Sequence, residues 1–238
     1  MNLQQERTAL RTQLLDMSRL SQRALDYSIK GYKLNCSEFS SHTASVGCQL
    51  EERYCQIKIL SRQLIGTRVA AAPSDFRFSL AALRLNSAFY KTYRAADRIS
   101  RITALPRENT TAEKCAALDE FGELINRLVR LCTVALFLND AALAEAVLQS
   151  QAVWRRSELI FDHSPSVADD HTLAITQNLS VIAKQAHEMA DAILFWLRGR
   201  DCALAFETEG HHALEHLIPN VGFTLENKPG PAQLSCCA

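Results

Sequence analysis

Residues 89–99 read FYKTYRAADRI, and residues 179–189 read LSVIAKQAHEM. Each stretch lies inside a longer segment whose apolar residues recur every three or four positions, which predicts an amphipathic helix. Each also places a hydroxyl-bearing residue one turn before a cation: Tyr90 before Arg94, and Ser180 before Lys184. We therefore expect one helical unit to be present twice, with these two stretches at matching places in the two copies.

The first half of the chain predicts three helices, through residues 3–29, 37–65 and 73–102. Gly31 is expected to end the first helix and Gly66 the second, because glycine accepts the left-handed backbone conformation that follows many helices. The third helix opens at Pro73, and Ser74 or Asp75 is a natural N-cap for it. Long helices joined by short turns favour an antiparallel bundle.

The second half repeats this pattern after a break. Residues 105–111 read LPRENTT, and proline followed by polar residues ends one helix before the next begins. Three further helices are predicted: one with an apolar stripe from Leu118 to Leu138, one through about residues 141–161, and one with an apolar stripe from Ile175 to Trp196. Asn139 and Asp140 interrupt the apolar stripe, and Gly199 is expected to end the last helix. Asn35 and Asn139 occupy matching places, each at the start of the second helix of its copy.

The order of helices predicts an all-α fold made of two tandem antiparallel three-helix bundles. We expect residues 1–105 to form the first bundle and residues 106–200 the second. Residues 201–238 form a C-terminal tail that is expected to be partly disordered or to contain a short helix. No stretch alternates with period two for long enough to predict a sheet, and the 8 glycines and 6 prolines are few for a β-rich chain.

Charge is divided unevenly between the two halves. Residues 1–105 carry 16 Lys and Arg against 8 Asp and Glu, whereas residues 106–238 carry 10 against 18. Either the halves attract each other or a second copy, or the basic half faces an anionic partner. The 8 cysteines form no CxxC pair and are expected to be reduced thiols. The polar N-terminus lacks the apolar core of a secretion signal, which predicts a cytoplasmic protein.

Two stretches resemble a known family. Residues 73–77 read PSDFR and lead into Leu83-Arg84-Leu85, and residues 193–201 read ILFWLRGRD. The first resembles the A-S-D-L-R opening of the third helix in the PhoU family of phosphate-signalling regulators. The second resembles that family's aromatic final turn, followed by a basic residue, glycine and aspartate. The similarity covers about residues 10–200, and it implies the six-helix repeat predicted above.

The resemblance also bears on metal binding, because the family carries an E(D)-x-x-x-D motif once per repeat. Two carboxylates one turn apart can bind iron, zinc, manganese or magnesium. In this chain the motif positions are Tyr90 and Arg94 in the first copy, and Ser180 and Lys184 in the second. Both copies have lost their carboxylates and gained a cation, which repels a metal ion and donates no lone pair. We expect no metal at these positions.

Three interpretations of the matched helix faces stay open. The first face carries Tyr90, Arg94, Asp97 and Arg101, and the second carries Ser180, Lys184, His187 and Asp191. The charged residues can form salt bridges, such as Asp97 with Arg94 or with Arg101. Alternatively, Asp97, His187 and Asp191 keep a weak residual metal site. Finally, Arg94 and Lys184 can contact an anion such as phosphate.

The motifs predict no catalytic activity and no cofactor. The chain contains no GxxxxGK[ST], GxGxxG or GxSxG stretch. Residues 211–216 read HHALEH, but this order does not match the HExxH pattern of zinc proteases, and we expect these residues to belong to the tail. Direct binding of nucleic acid requires a strongly basic domain; the basic half, residues 1–105, favours it only weakly, and it is not expected.

The resemblance implies a regulatory adaptor of phosphate uptake or phosphate signalling that acts by protein–protein contact. Its expected partners are a subunit of a phosphate ABC transporter, a sensor histidine kinase, or both, and a homodimer is a further expectation. Such a protein would be cytoplasmic and would reach the inner membrane only through its partners. The alternatives are a metal-free PhoU-like scaffold that serves another transporter or self-assembles, and a metal-binding helical bundle.

Overall fold

The computed structural model describes residues 3–66, 73–105, 112–155 and 170–199. Six helices occupy these ranges: α1 (Leu3–Leu34), α2 (Glu38–Gly66), α3 (Pro73–Thr103), α4 (Ala112–Leu138), α5 (Ala141–Gln149) and α6 (Asp170–Arg198). Residues 151–155 are also helical. The described part of the chain has no β-strand, so the predicted all-α fold class is confirmed.

The two halves contain the same tight turn at matching places. Asn35, between α1 and α2, has φ of 49°, and Asn139, between α4 and α5, has φ of 57°. Asparagine tolerates this left-handed conformation better than most residues with a side chain. Asp140 then caps α5, since its carboxylate accepts hydrogen bonds from the backbone N–H groups of Ala142 and Leu143. The expected break at Asn139 and Asp140 is confirmed.

Contacts between the helices define a central group of four helices and two further helices that pack on it. α1 contacts α3 and α4, α6 contacts the same two helices, α2 packs on α1 and α3, and α5 packs on α4 and α6. The most extensive contact joins α3 to α6. These two helices are antiparallel: Phe78 packs on Trp196 with ring centroids 4.9 Å apart, whereas Arg84, further along α3, reaches the earlier residue Asp191.

The core is continuous through α1, α3, α4 and α6. Its largest fully buried side chains include Leu14 and Leu25 of α1, Phe89 of α3 and Trp154. Cys132 of α4 is also fully buried, and its thiol donates to the backbone carbonyl of Ala186 in α6 at 3.2 Å. Burial raises the pKa of the Cys132 thiol to about 12, so this cysteine behaves as a small apolar residue.

Two predicted helix boundaries are wrong. α1 continues through Gly31 to Leu34, because Gly31 serves a close contact: a Cβ there would lie 3.1 Å from Cβ of Phe39 in α2. α5 ends at Gln149 instead of running to residue 161, with a turn at Ser150. The predicted end at Gly199 is confirmed, and Gly199 has φ of +73°. Gly66 belongs to α2 and is the last residue described before residue 73.

Some predictions concern residues outside the described ranges. They include the linker through residues 106–111, residues 156–161 of the fifth predicted helix and the tail at 201–238 with its histidines. The division of the chain into domains at residue 106 therefore stays a prediction. None of the helices in the part that the structure describes has an apolar stretch long enough to span a bilayer.

Candidate functional site

α3 and α6 share one pattern of exposure when they are aligned through the predicted motif positions. Lys91, Arg94 and Arg98 are exposed on α3, and their counterparts Val181, Lys184 and Glu188 are exposed on α6. Five other positions are buried in both helices. They are residues 92, 93, 96, 99 and 100 of α3, matched by 182, 183, 186, 189 and 190 of α6. The alignment of Arg94 with Lys184 therefore agrees with the way each helix packs.

The motif position on α3 is occupied by an aromatic cluster that joins α3 to α2. The ring of Tyr90 stacks on Tyr54 of α2, with centroids 4.6 Å apart and an interplanar angle of 26°. The Tyr90 hydroxyl donates to a carboxylate oxygen of Glu51 at 3.4 Å. Lys58 lies over the Tyr54 ring, with its Nζ 5.8 Å from the ring centroid. Stacked rings of this kind stabilise the α2–α3 contact by about 1 kcal/mol.

Tyr93 lies one turn from this stack and reaches into α2. A Cβ on Gly47 would lie 2.0 Å from the Tyr93 hydroxyl oxygen, so only glycine leaves room for this ring. Burial, followed by the negative charges of Asp97 and Glu51, raises the pKa of Tyr93. The phenol is therefore a neutral packing group at physiological pH.

The three charged residues on the α3 face make local contacts within their own helix. Arg94 is exposed, and its hydrogen bond with the Tyr90 phenol, its largest interaction, raises the pKa of the guanidinium. Arg101 Nε lies 3.0 Å from Asp97 Oδ2, within the same helix. The predicted salt bridge between Asp97 and Arg101 is confirmed, and it orients a guanidinium that stays 75% exposed over a carboxylate that is 11% exposed.

The matching positions on α6 differ in character, because most of them point into the structure. Ser180 is 1% exposed, and its hydroxyl has no hydrogen-bond partner among the described residues. Lys184 is exposed. Asp191 is 4% exposed and pairs with Arg84 of α3, which also lies 3.8 Å from Glu188. The part of this face around Asp191 is therefore a contact between α3 and α6, which we call the α6 joint.

His187 is a packed histidine whose two ring nitrogens are both engaged. Its Nδ1 lies 3.0 Å from the Ala183 carbonyl oxygen, and its Nε2 accepts from the Trp154 indole N–H at 3.4 Å. The two rings meet edge to face, with centroids 5.7 Å apart. Burial lowers the pKa of His187, so the neutral ring with a proton on Nδ1 fits both contacts.

The structure does not bring Asp97, His187 and Asp191 together. Asp191 is bound to Arg84, which precedes Asp97 by about 20 Å along α3. His187 uses its ring nitrogens in contacts with Ala183 and Trp154. In the described ranges, no group of three or more His, Cys, Asp or Glu side chains is placed to hold a metal ion. The residual metal site considered for these three residues is therefore not assembled.

Arg94 and Lys184 are both exposed cations, as an anion contact requires. Because α3 and α6 are antiparallel, Lys184 faces the part of α3 near Lys91. A contact of both cations with one anion stays a prediction.

Several important residues were missed by the sequence reasoning. The cluster around Tyr90 and Tyr93 is completed by three residues of α2: Tyr54, Glu51 and Gly47. On the α6 face, Arg84 contacts Asp191 and Trp154 contacts His187. α2 gave little signal because its outer face is mixed in character. One sequence signal could have indicated that these residues act together. Their spacing of four, three and four places them on one face of α2: Gly47, Glu51, Tyr54 and Lys58.

Comparisons with known proteins identify the fold. No protein-family model matches the chain, and no curated protein matches it in sequence. The crystal structure of PhoU from Pseudomonas aeruginosa matches with a TM-score of 0.75 and 17% identity, covering 84% of this chain and 100% of that one. The phosphate transport system regulatory protein PhoU from Streptococcus pneumoniae matches with a TM-score of 0.73 and 16% identity, covering 84% and 99%. The chain thus has the PhoU fold.

Proposed function

We propose that this protein is a PhoU-like regulatory adaptor of phosphate uptake or phosphate signalling. The observation that carries the proposal is the match over essentially the whole length of two PhoU structures, one of them titled a phosphate transport system regulatory protein. Fold alone does not define function, so the proposal depends on what this chain retains at its surface. Its partner is a phosphate transporter subunit or a sensor histidine kinase, met in the cytoplasm.

The geometry supports action by contact and not by catalysis. At the two motif positions the side chains are an aromatic cluster and a packed joint, with Arg94 and Lys184 as the exposed groups. Tyr93 and His187, whose pKa values are shifted by burial, are engaged in packing: Tyr93 lies against Gly47, and His187 lies against Trp154. Catalytic groups are expected to lie in a cleft with access to a substrate.

Crosslinked capture from cells of the source organism tests the proposal. The tagged protein is isolated after crosslinking from phosphate-rich and phosphate-starved cells, and the partners are identified by mass spectrometry. We expect a subunit of a phosphate transporter or a phosphate-responsive sensor kinase, in an amount that changes with phosphate supply. Recovery of neither class in either condition would contradict the proposal. A strain without the protein should also show altered expression of phosphate-starvation genes.

A metal-free scaffold that serves another transporter or self-assembles is the second candidate. The observation that favours it is the loss of all four motif carboxylates at Tyr90, Arg94, Ser180 and Lys184. The same capture experiment separates the two candidates, because a scaffold would return a different transporter or only copies of itself. Metal analysis of the purified protein tests the remaining alternative, a metal-binding bundle, which requires a stoichiometric ion.

A further inference from the structure

Four cations form a single row along the outer face of α3. In the segment from residue 91 to residue 103, every exposed residue is basic: Lys91, Arg94, Arg98 and Arg101. We call these four residues the α3 basic row. Their spacing of three, four and three positions keeps them on one face, over about 15 Å of helix. Among the described residues, Lys91 and Arg98 have no ion-pair partner.

The row is specific to one copy of the repeat. At the counterparts of its first three members, α6 presents Val181, Lys184 and Glu188, and the counterpart of Arg101 is the buried Asp191. Five matched positions are buried in both helices, and the counterparts of Lys91, Arg94 and Arg98 are exposed in both. The fold therefore does not require four cations at these places, and their concentration on α3 needs a reason outside the packing of the bundle.

Two carboxylates lie near the Lys91 end of the row. Glu51 of α2 lies 3.4 Å from the Tyr90 hydroxyl, beside the row. Glu188 of α6 lies 3.8 Å from Arg84, two turns before Lys91 on α3, whereas the exposed Lys184 of α6 lies closer to Lys91. A broad anionic surface, such as a bilayer or a nucleic-acid backbone, would bring negative charge against Glu51 and Glu188. A narrow partner of about one helix width, centred on the row, would meet mainly the cations.

We infer that the α3 basic row docks an acidic α-helix of a partner protein, with carboxylates spaced three, four and three residues apart. Such a helix repeats its charges at the same rise as the row, so each cation meets one carboxylate. The Tyr54–Tyr90 stack borders the row and supplies the combination of tyrosine and arginine that is enriched at protein interfaces. The inference rests on the proposed function only in that the protein acts by contact with a partner.

A second copy of the chain does not supply this partner helix from its described residues. No helix in the ranges that the structure describes carries four carboxylates on one face with this spacing. On α4, for example, the exposed Glu120 and Glu123 are followed by the exposed cations Arg127 and Arg130. For the ranges that the structure describes, the charge complementarity therefore points to a different protein.

Binding to designed peptides tests the inference directly. The probe is a fluorescent, helix-stabilised peptide with glutamates spaced three, four and three residues apart, measured by anisotropy at about 0.1 M salt. The full-length protein is compared with a row variant that carries Lys91→Glu, Arg94→Glu, Arg98→Glu and Arg101→Glu. The matched control carries Arg23→Glu, Lys30→Glu, Arg62→Glu and Arg127→Glu, which changes the net charge equally at exposed positions elsewhere.

We expect the row variant to lose about 30-fold in affinity, since each exposed charge pair contributes about a factor of two to three. The control variant should lose much less, and an isomeric peptide with its glutamates distributed around the helix should bind more weakly than the matched one. Circular dichroism verifies folding. If the glutamate variant does not fold, glutamine replaces glutamate at the same four positions and must still weaken binding.

Three results would overturn the inference: equal binding of the two peptides, equal losses in the row and control variants, or tighter binding to one of two competitors. The competitors are vesicles of phosphatidylglycerol and phosphatidylcholine in equal parts and double-stranded DNA. The proposed function is judged separately by the captured partners. If the row variant still captures a phosphate transporter or kinase as well as the unaltered protein does, the inference fails and the proposed function stands.

Discussion

The faces of α3 and α6 that carry the motif positions both expose a cation, Arg94 or Lys184, but they differ in burial at the other three positions. On α3, Tyr90, Arg94 and Arg101 lie toward solvent and contact α2 or their own helix. On α6, His187 packs on Trp154, and Asp191 crosses to Arg84 of α3. The first copy of the repeat exposes this face to solvent, whereas the second copy packs most of it against neighbouring helices.

The two aspartates show this difference most directly. Asp97 pairs within its helix with an arginine that is 75% exposed, whereas Asp191 pairs between helices with one that is 36% exposed. Water screens the first pair strongly and the second pair much less. Equivalent positions in a repeat therefore need not contribute equally to stability, and substitution of matched positions measures the difference.

Restoring one motif glutamate in each copy should give the largest contrast. Ser180→Glu buries a carboxylate at a position that is 1% exposed, whereas Lys184, one turn further along, is exposed, and the change should cost about 3–5 kcal/mol. Tyr90→Glu replaces a half-buried stacked ring near Glu51 and should cost only about 1 kcal/mol. Urea unfolding followed by circular dichroism measures both. Similar costs would show that the two faces are not different in burial.

Removal of the arginine from each ion pair should give the next effect. Arg84→Ala removes the guanidinium that pairs with the buried Asp191 and should cost about 3 kcal/mol. Arg101→Ala removes the exposed partner of Asp97 and should cost about 0.5 kcal/mol. The same unfolding measurements apply, and Arg84→Ala combined with Asp191→Asn should recover part of the loss. No recovery in the double variant would mean that the pair is not the cause.

A methyl group on Gly47 should disturb the α3 surface cluster to a smaller extent. The added Cβ would lie 2.0 Å from the Tyr93 hydroxyl oxygen, so Gly47→Ala should cost about 2 kcal/mol by overpacking. Tyr93→Phe removes that oxygen and should reduce the cost. Gly66→Ala is the control, because nothing lies within 4 Å of its added Cβ. Thermal unfolding compares the variants, and an undiminished cost in the Tyr93→Phe background would contradict the assigned contact.

The α6 joint should give a pH dependence through His187. Burial lowers the pKa of His187 in the folded chain below its ordinary value of 6.5. The unfolded chain therefore takes up this proton at a higher pH than the folded chain. The free energy of unfolding should be unaffected above about pH 7.5 and should fall as the pH drops through 6.5 toward 5.

His187→Gln removes this titration, so the decline in stability between pH 7.5 and pH 5 should become shallower than in the unaltered protein. Chemical unfolding at several pH values measures both slopes. All other titrating groups are common to the two proteins, which makes the unaltered protein its own reference. Equal slopes would show that His187 keeps its ordinary affinity for protons.

Much of the fold could be predicted because helical periodicity and helix ends are local properties. The apolar stripes placed all six helices, and the break at Asn139 and Asp140 and the end at Gly199 are confirmed. Gly31 was interpreted wrongly as a helix end, because the need for glycine there comes from Phe39 of α2. The turn at Ser150 was missed as well, since the residues around it keep an apolar helical pattern.

The candidate site could be predicted only as a set of positions. The sequence placed Asp97 beside Arg101, because residues four apart on a helix lie on one face. It could not show that Asp191 meets Arg84 or that His187 meets Trp154, since these contacts depend on how α3, α5 and the residues after α5 pack on α6. A residual metal site was conceivable for Asp97, His187 and Asp191 for the same reason.

The order of amino acids by itself determined the helices, the doubled unit and the substitution of cations and hydroxyls at the two motif positions. These are properties of neighbours along the chain, and the helix repeat of three to four residues converts them directly into faces. Only the tertiary structure decided that the α3 face is a solvent-exposed basic row and that the α6 face is a buried joint. Burial and partner choice follow from which helices pack together, and that is set by side chains far apart in the sequence.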